Sequence, residues 1–251
     1  MYDIPTYTTE PSPKWVRAFV DDIPVVDSRN VMLFFEPYYP KYFFPQSDVR
    51  MDLLEPSETR DPEDPRGEKI YWHLRAGDGL RKDAAFTYRQ PPTPDQADMS
   101  AFISFRWDAL DAWFEEDDQV YVHPRNPYTR VDIARSSRHI RVSIGETELA
   151  NTRRPVLLWE TRLPTRYYIP RADVRTEHLR LSETVTQCPY KGTAETYSIV
   201  VGDRIYQDHA WSYPFPIPDC AKIEGLICFY SEKVDITEDG VLLPRPQSRW
   251  S

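Results

Sequence analysis

The segment Cys188-Pro189-Tyr190-Lys191-Gly192 sets a thiol, a phenol and an ammonium close together and follows them with a glycine. A cation beside a thiol stabilises the thiolate, so Cys188 is a candidate nucleophile. Lys191 is then a base or an electrostatic stabiliser, or a point charge for a ligand carboxylate or phosphate. The glycine lets the backbone approach another group closely or take positive φ. The plainer reading is a turn that starts a strand, with Lys191 in water and Cys188 as a small buried hydrophobe. Glu160 closes the apolar run Val156–Trp159. A carboxylate there must be paired or exposed. It is either a base facing a pocket or a strand end bridging Arg162 or Arg166. Tyr168, Trp211 and Tyr213 are candidate ligand-binding aromatics, or core residues. Trp211 and Tyr213 lie two apart and share a face on a strand. His209 reads as a surface histidine, and Cys220 and Cys228 as packing residues.

The elements that must position these groups follow from composition and repeats. The chain has 251 residues, 24 prolines and only 8 glycines, against roughly 13 and 18 at average usage. Prolines between short apolar runs predict strands with rigid turns rather than long helices. A net charge of −9 argues against a nucleic-acid or anionic-membrane partner, where Lys and Arg must neutralise phosphate. No apolar run approaches the ~20 residues of a membrane helix, and Tyr2-Asp3-Ile4-Pro5 does not read as a signal peptide. Three cysteines without a CxxC pair and five scattered histidines offer no zinc set. Free thiols fit a reducing cytosol, so the expected location is cytoplasmic and no metal is expected.

The chain repeats itself. Val16-Arg17 matches Ile140-Arg141, Asp27-Ser28-Arg29 matches Asn151-Thr152-Arg153, and Leu33 to Glu36 matches Leu157 to Glu160, all at an offset of 124. Pro40 also aligns with Pro164. One residue is then inserted: Asp48-Val49-Arg50 matches Asp173-Val174-Arg175 and Ala85 to Tyr88 matches Ala210 to Tyr213, at 125. Ile103 and Phe105 meet Ile227 and Phe229 at 124 again. Copy one is expected over 7–123 and copy two over 131–240. A proline-punctuated linker joins them, and a polar tail follows from 241.

Within copy two, alternation predicts hairpins around Gly145-Glu146 and Gly202-Asp203. Val156–Glu160, Tyr167–Ile169, Gly225–Tyr230 and Val234–Ile236 read as further strands. Arg171 to Leu179 is the best short-helix candidate, with Gln46 to Leu54 its equivalent in copy one. In copy one Glu63 stands where copy two has Cys188, and Arg66 replaces Lys191. Glu36, Phe44, Phe86 and Tyr88 are the retained counterparts of the other site groups. The first copy is therefore expected to hold a degenerate site, as a scaffold or as a second, different pocket.

Taken together, Leu158-Trp159-Glu160, Tyr167 to Pro170, Asp173-Val174, Thr186 to Gly192, Trp211-Ser212-Tyr213 and Phe229-Tyr230 resemble the domain-of-unknown-function family DUF427 in a tandem form. The resemblance implies a mainly β fold: two β-tent-like domains with short helices, related by internal pseudo-twofold symmetry. It implies no settled activity. β-tent relatives often hold zinc on cysteine pairs, which this chain lacks. Three function classes stay open: a module binding a small or anionic ligand in the second domain, an enzyme (hydrolase or transferase) using Cys188 and Lys191, and a protein-interaction module. The acidic metal-binding constellation and Gly-Ser turn of nucleotide transfer are missing. Ligand identity, oligomeric state and cofactor use are not readable from the sequence.

Overall fold

The computed structural model describes residues 8–37, 39–77, 79–89, 97–248 and 251. Tyr7, where copy one is expected to begin, Asp78 of its Gly77-Asp78 turn, and residues 2–5 lie outside the described residues. The chain divides into two units between Asn126 and Pro127, and both are mainly β.

The first unit carries β1 (Thr9–Pro11), β2 (Val16–Val20), β3 (Ile23–Ser28), β4 (Met32–Phe35), β5 (Pro40–Pro45), β6 (Leu54–Asp61), β7 (Lys69–Ala76), β8 (Gly79–Tyr88), β9 (Phe102–Phe105), β10 (Ala112–Glu115) and β11 (Asp118–Val120). The second carries β12 (Val131–Arg135), β13 (Ile140–Ile144), β14 (Thr147–Thr152), β15 (Val156–Glu160), β16 (Arg166–Ile169), β17 (Leu179–Cys188), β18 (Gly192–Val201), β19 (Arg204–Pro216), β20 (Ile227–Phe229), β21 (Asp235–Glu238) and β22 (Val241–Leu242).

Strand for strand, the two units have the same plan. A seven-stranded sheet runs β1-β4-β5-β9-β8-β7-β6 in the first and β12-β15-β16-β20-β19-β18-β17 in the second. A four-stranded sheet runs β3-β2-β10-β11 and β14-β13-β21-β22. The ladders joining these strands are antiparallel, as between β15 and β16 or β18 and β19.

Period-2 alternation gives the long sheet of the second unit two apolar faces. Leu157, Tyr167, Ile169, Ala210, Ile227 and Phe229 pack with Ile140, Val142 and Ile236 of the short sheet. Their neighbours Leu158, Tyr168, Trp211 and Cys228 point the other way and form a separate cluster with Tyr213, Cys220 and Ile223. The 3-10 helix Pro218–Ile223 supplies Cys220 and Ile223 to this outer face. The first unit repeats the division, with Phe34, Phe43, Phe86, Tyr88 and Met99 as its outer cluster.

Four expectations need correction. Arg171 to Leu179 forms two 3-10 helices, Arg171–Asp173 and Thr176–His178, rather than one helix. Val174 between them bridges Ala150, and the Arg175 N–H donates to the Leu149 carbonyl at 2.8 Å. The short sheet thus takes the backbone groups a continuous helix would use. Gln46–Asp48 and Met51–Leu53 are broken in the same way by Val49, which bridges Val26.

The inserted residue lies in the β15–β16 connection. Leu158 pairs with Arg166 as Phe34 pairs with Lys41, so the offset is already 125 at Lys41 and Pro40 is not the counterpart of Pro164. Phe43, not Phe44, then matches Tyr168; Phe44 faces the inter-sheet core. Lastly, Val241 and Leu242 of the expected polar tail form β22 against β21, and Leu243 packs on the inter-sheet core.

Candidate functional site

The six candidate residues of the second unit come together on the outer face of its long sheet. Cys188 is the last residue of β17 and pairs with Gly192 at the start of β18. Between them a tight turn closes with the Lys191 N–H on the Cys188 carbonyl at 3.3 Å. The turn folds Lys191 back toward Cys188, which strand spacing alone would not do. Gly192 makes this possible: its φ is +104°, and a Cβ there would lie 3.3 Å from the Phe215 carbonyl oxygen. The Lys191 carbonyl in turn accepts from the Ile217 N–H at 3.0 Å, tying the turn to the end of β19.

Lys191 is only 8% exposed. Its ammonium donates to Glu160 at the end of β15, and Cys188 lies beside this pair. Burial works against the charged form, but Cys188 and Glu160 outweigh it and hold the ammonium above the usual lysine range. Lys191 is therefore a fixed cation rather than a general base at neutral pH. Glu160 is neither a free strand end nor the partner of Arg162 or Arg166; its partner is Lys191.

Tyr168 and Tyr213 are buried, and their hydroxyls stay protonated well beyond the usual phenol range. Burial is the main cause for both, and the neighbouring Cys188 and Glu160 add to it at Tyr213. The Trp211 indole N–H donates to the Tyr168 hydroxyl at 3.2 Å, and their rings meet edge to face at 6.3 Å. These three aromatics are floor, buried beneath the charged groups, rather than the walls of an open pocket.

Cys188 alone among the three cysteines is half-exposed. Cys220 donates to the Tyr190 carbonyl at 3.2 Å and sits beneath the turn. Burial pushes its thiol up to about 11 and that of Cys228 to about 12. Both are packing residues. His209, half-buried rather than fully exposed, lies against Tyr206 and joins no part of the site.

Sequence reasoning missed Arg166. It is buried, binds Glu232 through two N–H groups at 2.6 and 2.8 Å, and lies 5.4 Å over Trp211. Tyr230 packs on the other aromatic side of that group, 4.4 Å from Trp211. The signal available was the offset: Arg166 matches Lys41 once the inserted residue is placed correctly.

The matching place in the first unit is charged and open. Arg66 contacts Glu36 and binds Asp64 at 2.6 Å, and Lys41 reaches Glu36 at 3.0 Å. Burial opposes the Arg66 charge, but Asp64, Tyr88 and Glu36 hold the guanidinium more firmly protonated than a free arginine. Lys69 lies over Phe86 at 4.1 Å and over Tyr71 at 5.0 Å. Beside them is a cleft of about 500 Å³, lined among others by Glu36, Lys41, Lys69, Phe86, Trp107 and His123. The cleft beside this place is lined differently from the corresponding face of the second unit.

Among the described residues, no three His, Cys, Asp or Glu side chains are grouped to hold a metal ion. No helix among them is long and apolar enough to cross a membrane.

No curated protein matches the chain. A family model does, twice, over residues 8–116 and 132–240, and its description is a domain of unknown function, DUF427. The matched segments take in β1 to β10 and nearly all of β12 to β21, so the second-domain turn and most of the first-domain cleft lie within the family domain, while Val122, His123 and Pro124 of the cleft wall lie beyond it. The chain therefore belongs to the DUF427 family and carries two copies of its domain in tandem.

Proposed function

We propose that the protein binds a small anionic ligand on the outer face of the second domain, at Glu160, Lys191 and Cys188. The observation that carries this reading is the buried ammonium. Lys191 has three N–H donors; one goes to Glu160, so a ligand oxygen beside Cys188 can take another. Removing an ion pair from water is costly, and an apolar pair would stabilise such a sheet face at least as well. A retained pair beside a half-exposed thiol therefore points to use rather than to stability. Tyr213 lies buried beneath the pair and shields it from water on that side.

A second reading rests on the contact between Lys191 and Cys188. A sulfur beside a fixed ammonium can attack an electrophilic carbon, with Lys191 stabilising charge on sulfur and on the oxyanion that forms. This would be a hydrolase or transferase with Cys188 as nucleophile and Glu160 holding Lys191 in place.

Binding is tested by titrating the full chain with benzoate and with inorganic phosphate, in calorimetry or by thermal shift, beside Lys191→Met. The expected result is saturable binding of at least one anion that Lys191→Met loses and Lys69→Met keeps. Equal binding by the wild type and Lys191→Met would reject the site.

A further inference from the structure

The first domain holds a lysine that its fold leaves without an ionic partner. Lys69 opens β7 and, at the 125-residue offset, stands where the second domain has the buried Ala194. It therefore adds a cation where the second domain's sheet face is apolar. Among the described residues it makes no ion pair or side-chain hydrogen bond, whereas Lys41 beside it is held by Glu36. Its ammonium lies on the rings of Phe86 and Tyr71 and lines the cleft. Lys41 lies over the same Phe86 ring at 5.2 Å, so two cations share one aromatic floor. Arg106 and His123 line the cleft too, and the stacked pair Trp107 and Trp113, 4.7 Å apart, forms a flat apolar part of its wall.

We propose that this cleft is a second site, which takes a small 2-oxo carboxylate with an apolar or aromatic tail, and that Lys69 is the amine that forms an imine with its carbonyl. Lys41 and Arg106 meet the carboxylate, and the tail lies against the tryptophans. An amine attacks carbonyls only when neutral. Two features favour that form: desolvation on an apolar sheet face, and neighbouring cations. Burial first, and then Lys41 and Arg66, bring Lys69 down to about 8, while Asp64 and Glu36 pull the other way. In the step itself, the Lys69 lone pair forms the N–C bond as the carbonyl electron pair moves to oxygen. The two amine protons pass to that oxygen, which leaves as water as the nitrogen lone pair forms the C=N bond. The imine nitrogen then takes up a proton from solvent, and the ligand's own carboxylate and Glu36 balance its charge.

The site is independent of the one proposed in the second domain, since none of its residues belongs to that domain. The test uses the full chain with phenylpyruvate and sodium cyanoborohydride, which delivers hydride to an iminium and leaves a stable secondary amine. Adducts are mapped by peptide mass spectrometry between pH 6 and 9. The expected result is one dominant adduct on Lys69, formed faster as pH rises toward 8. It should be absent in Lys69→Arg and slowed severalfold in Lys41→Gln, while Lys191→Met leaves it unchanged. Mapping on the wild type alone already decides the matter. Adducts spread over lysines by exposure, with Lys222 ahead of Lys69, or no adduct at all, would overturn the proposal.

Discussion

The two domains hold a carboxylate and a cation at matching places, Glu36 with Arg66 and Glu160 with Lys191, but the third partner differs. In the first domain it is Asp64, and the guanidinium is shared between two acids. In the second it is the Cys188 thiol, and a single acid holds the ammonium. The shared pair is a feature of the fold; the third partner is where the chemistry separates. The same contrast recurs one strand away. Lys41 and Arg166 each lie over the matching aromatic, Phe86 or Trp211. Arg166 is closed in by Glu232, Ser231 and Ser248. Lys41 is not, and Trp107, where the second domain has Ser231, instead lines an open cleft. One plan therefore gives a filled face with a reactive turn in one copy and an open, cationic face in the other.

The largest expected effect tests the filled face. Glu232→Ala would leave Arg166 buried without its acid and should cost about 3–5 kcal/mol in denaturant unfolding. Asp108→Ala, at the matching exposed position of the first domain, should stay within about 0.5 kcal/mol. Equal costs would break the comparison there.

The next largest effect tests the shared pair. Glu160→Ala leaves Lys191 with only a thiol and should cost about 3 kcal/mol. Glu36→Ala should cost about 1–2 kcal/mol, because Asp64 still holds Arg66. If the first domain suffered as much as the second, the third partner would not be what distinguishes them. Smaller again is Gly192→Ala, about 1–2 kcal/mol, since a side chain would enter the positive-φ region and press on the Phe215 carbonyl.

The pH dependence sharpens the same point. Lys191 binds its proton more tightly folded than unfolded. Its contribution to stability is therefore full below about pH 10, the ordinary lysine value, and is lost as pH rises through the folded value. Lys69 has the opposite sign: its folded value is about 8, so its charge opposes folding less as pH rises from 8 toward 10. Alkaline unfolding of Lys191→Met should lack the first dependence, and that of Lys69→Met the second. The smallest perturbation is thiol labelling with a maleimide at neutral pH. Cys188 should react in the native protein, and Cys220 and Cys228, buried with raised thiols, only after unfolding.

How much of this was legible in the residues depended on whether a neighbour in sequence or one in space decided the outcome. Alternation places Val156–Glu160 as a strand and separates Tyr167 from Tyr168, and the strand and the two faces are there. The repeat makes the sheet order of one copy the sheet order of the other. Helical periodicity fails at Arg171 to Leu179 because the short sheet captures the backbone at Val174 and Arg175. The insertion is misplaced by a few residues because two prolines, Pro40 and Pro164, align by identity while strand register pairs Lys41 with Arg166. Residue types mark Glu160 and Lys191 but not their union, since 31 positions separate them. A different pocket in the first copy was one of two expectations, but its lining was not legible: the cleft goes with what Lys41 lacks, a counterpart of the Arg166–Glu232 contact, and with a lysine in the place of Ala194.

One measurement tests the proposed second-domain site most directly: the rate at which Cys188 is alkylated by iodoacetate relative to iodoacetamide. The two reagents carry similar electrophilic carbons, and only the first is an anion. If Lys191 offers an N–H to small anions beside the thiol, the iodoacetate-to-iodoacetamide ratio at Cys188 should exceed that of glutathione severalfold. The excess should vanish in Lys191→Met and persist in Lys69→Met. A ratio equal to that of glutathione in the wild type, or one unchanged by Lys191→Met, would contradict the account.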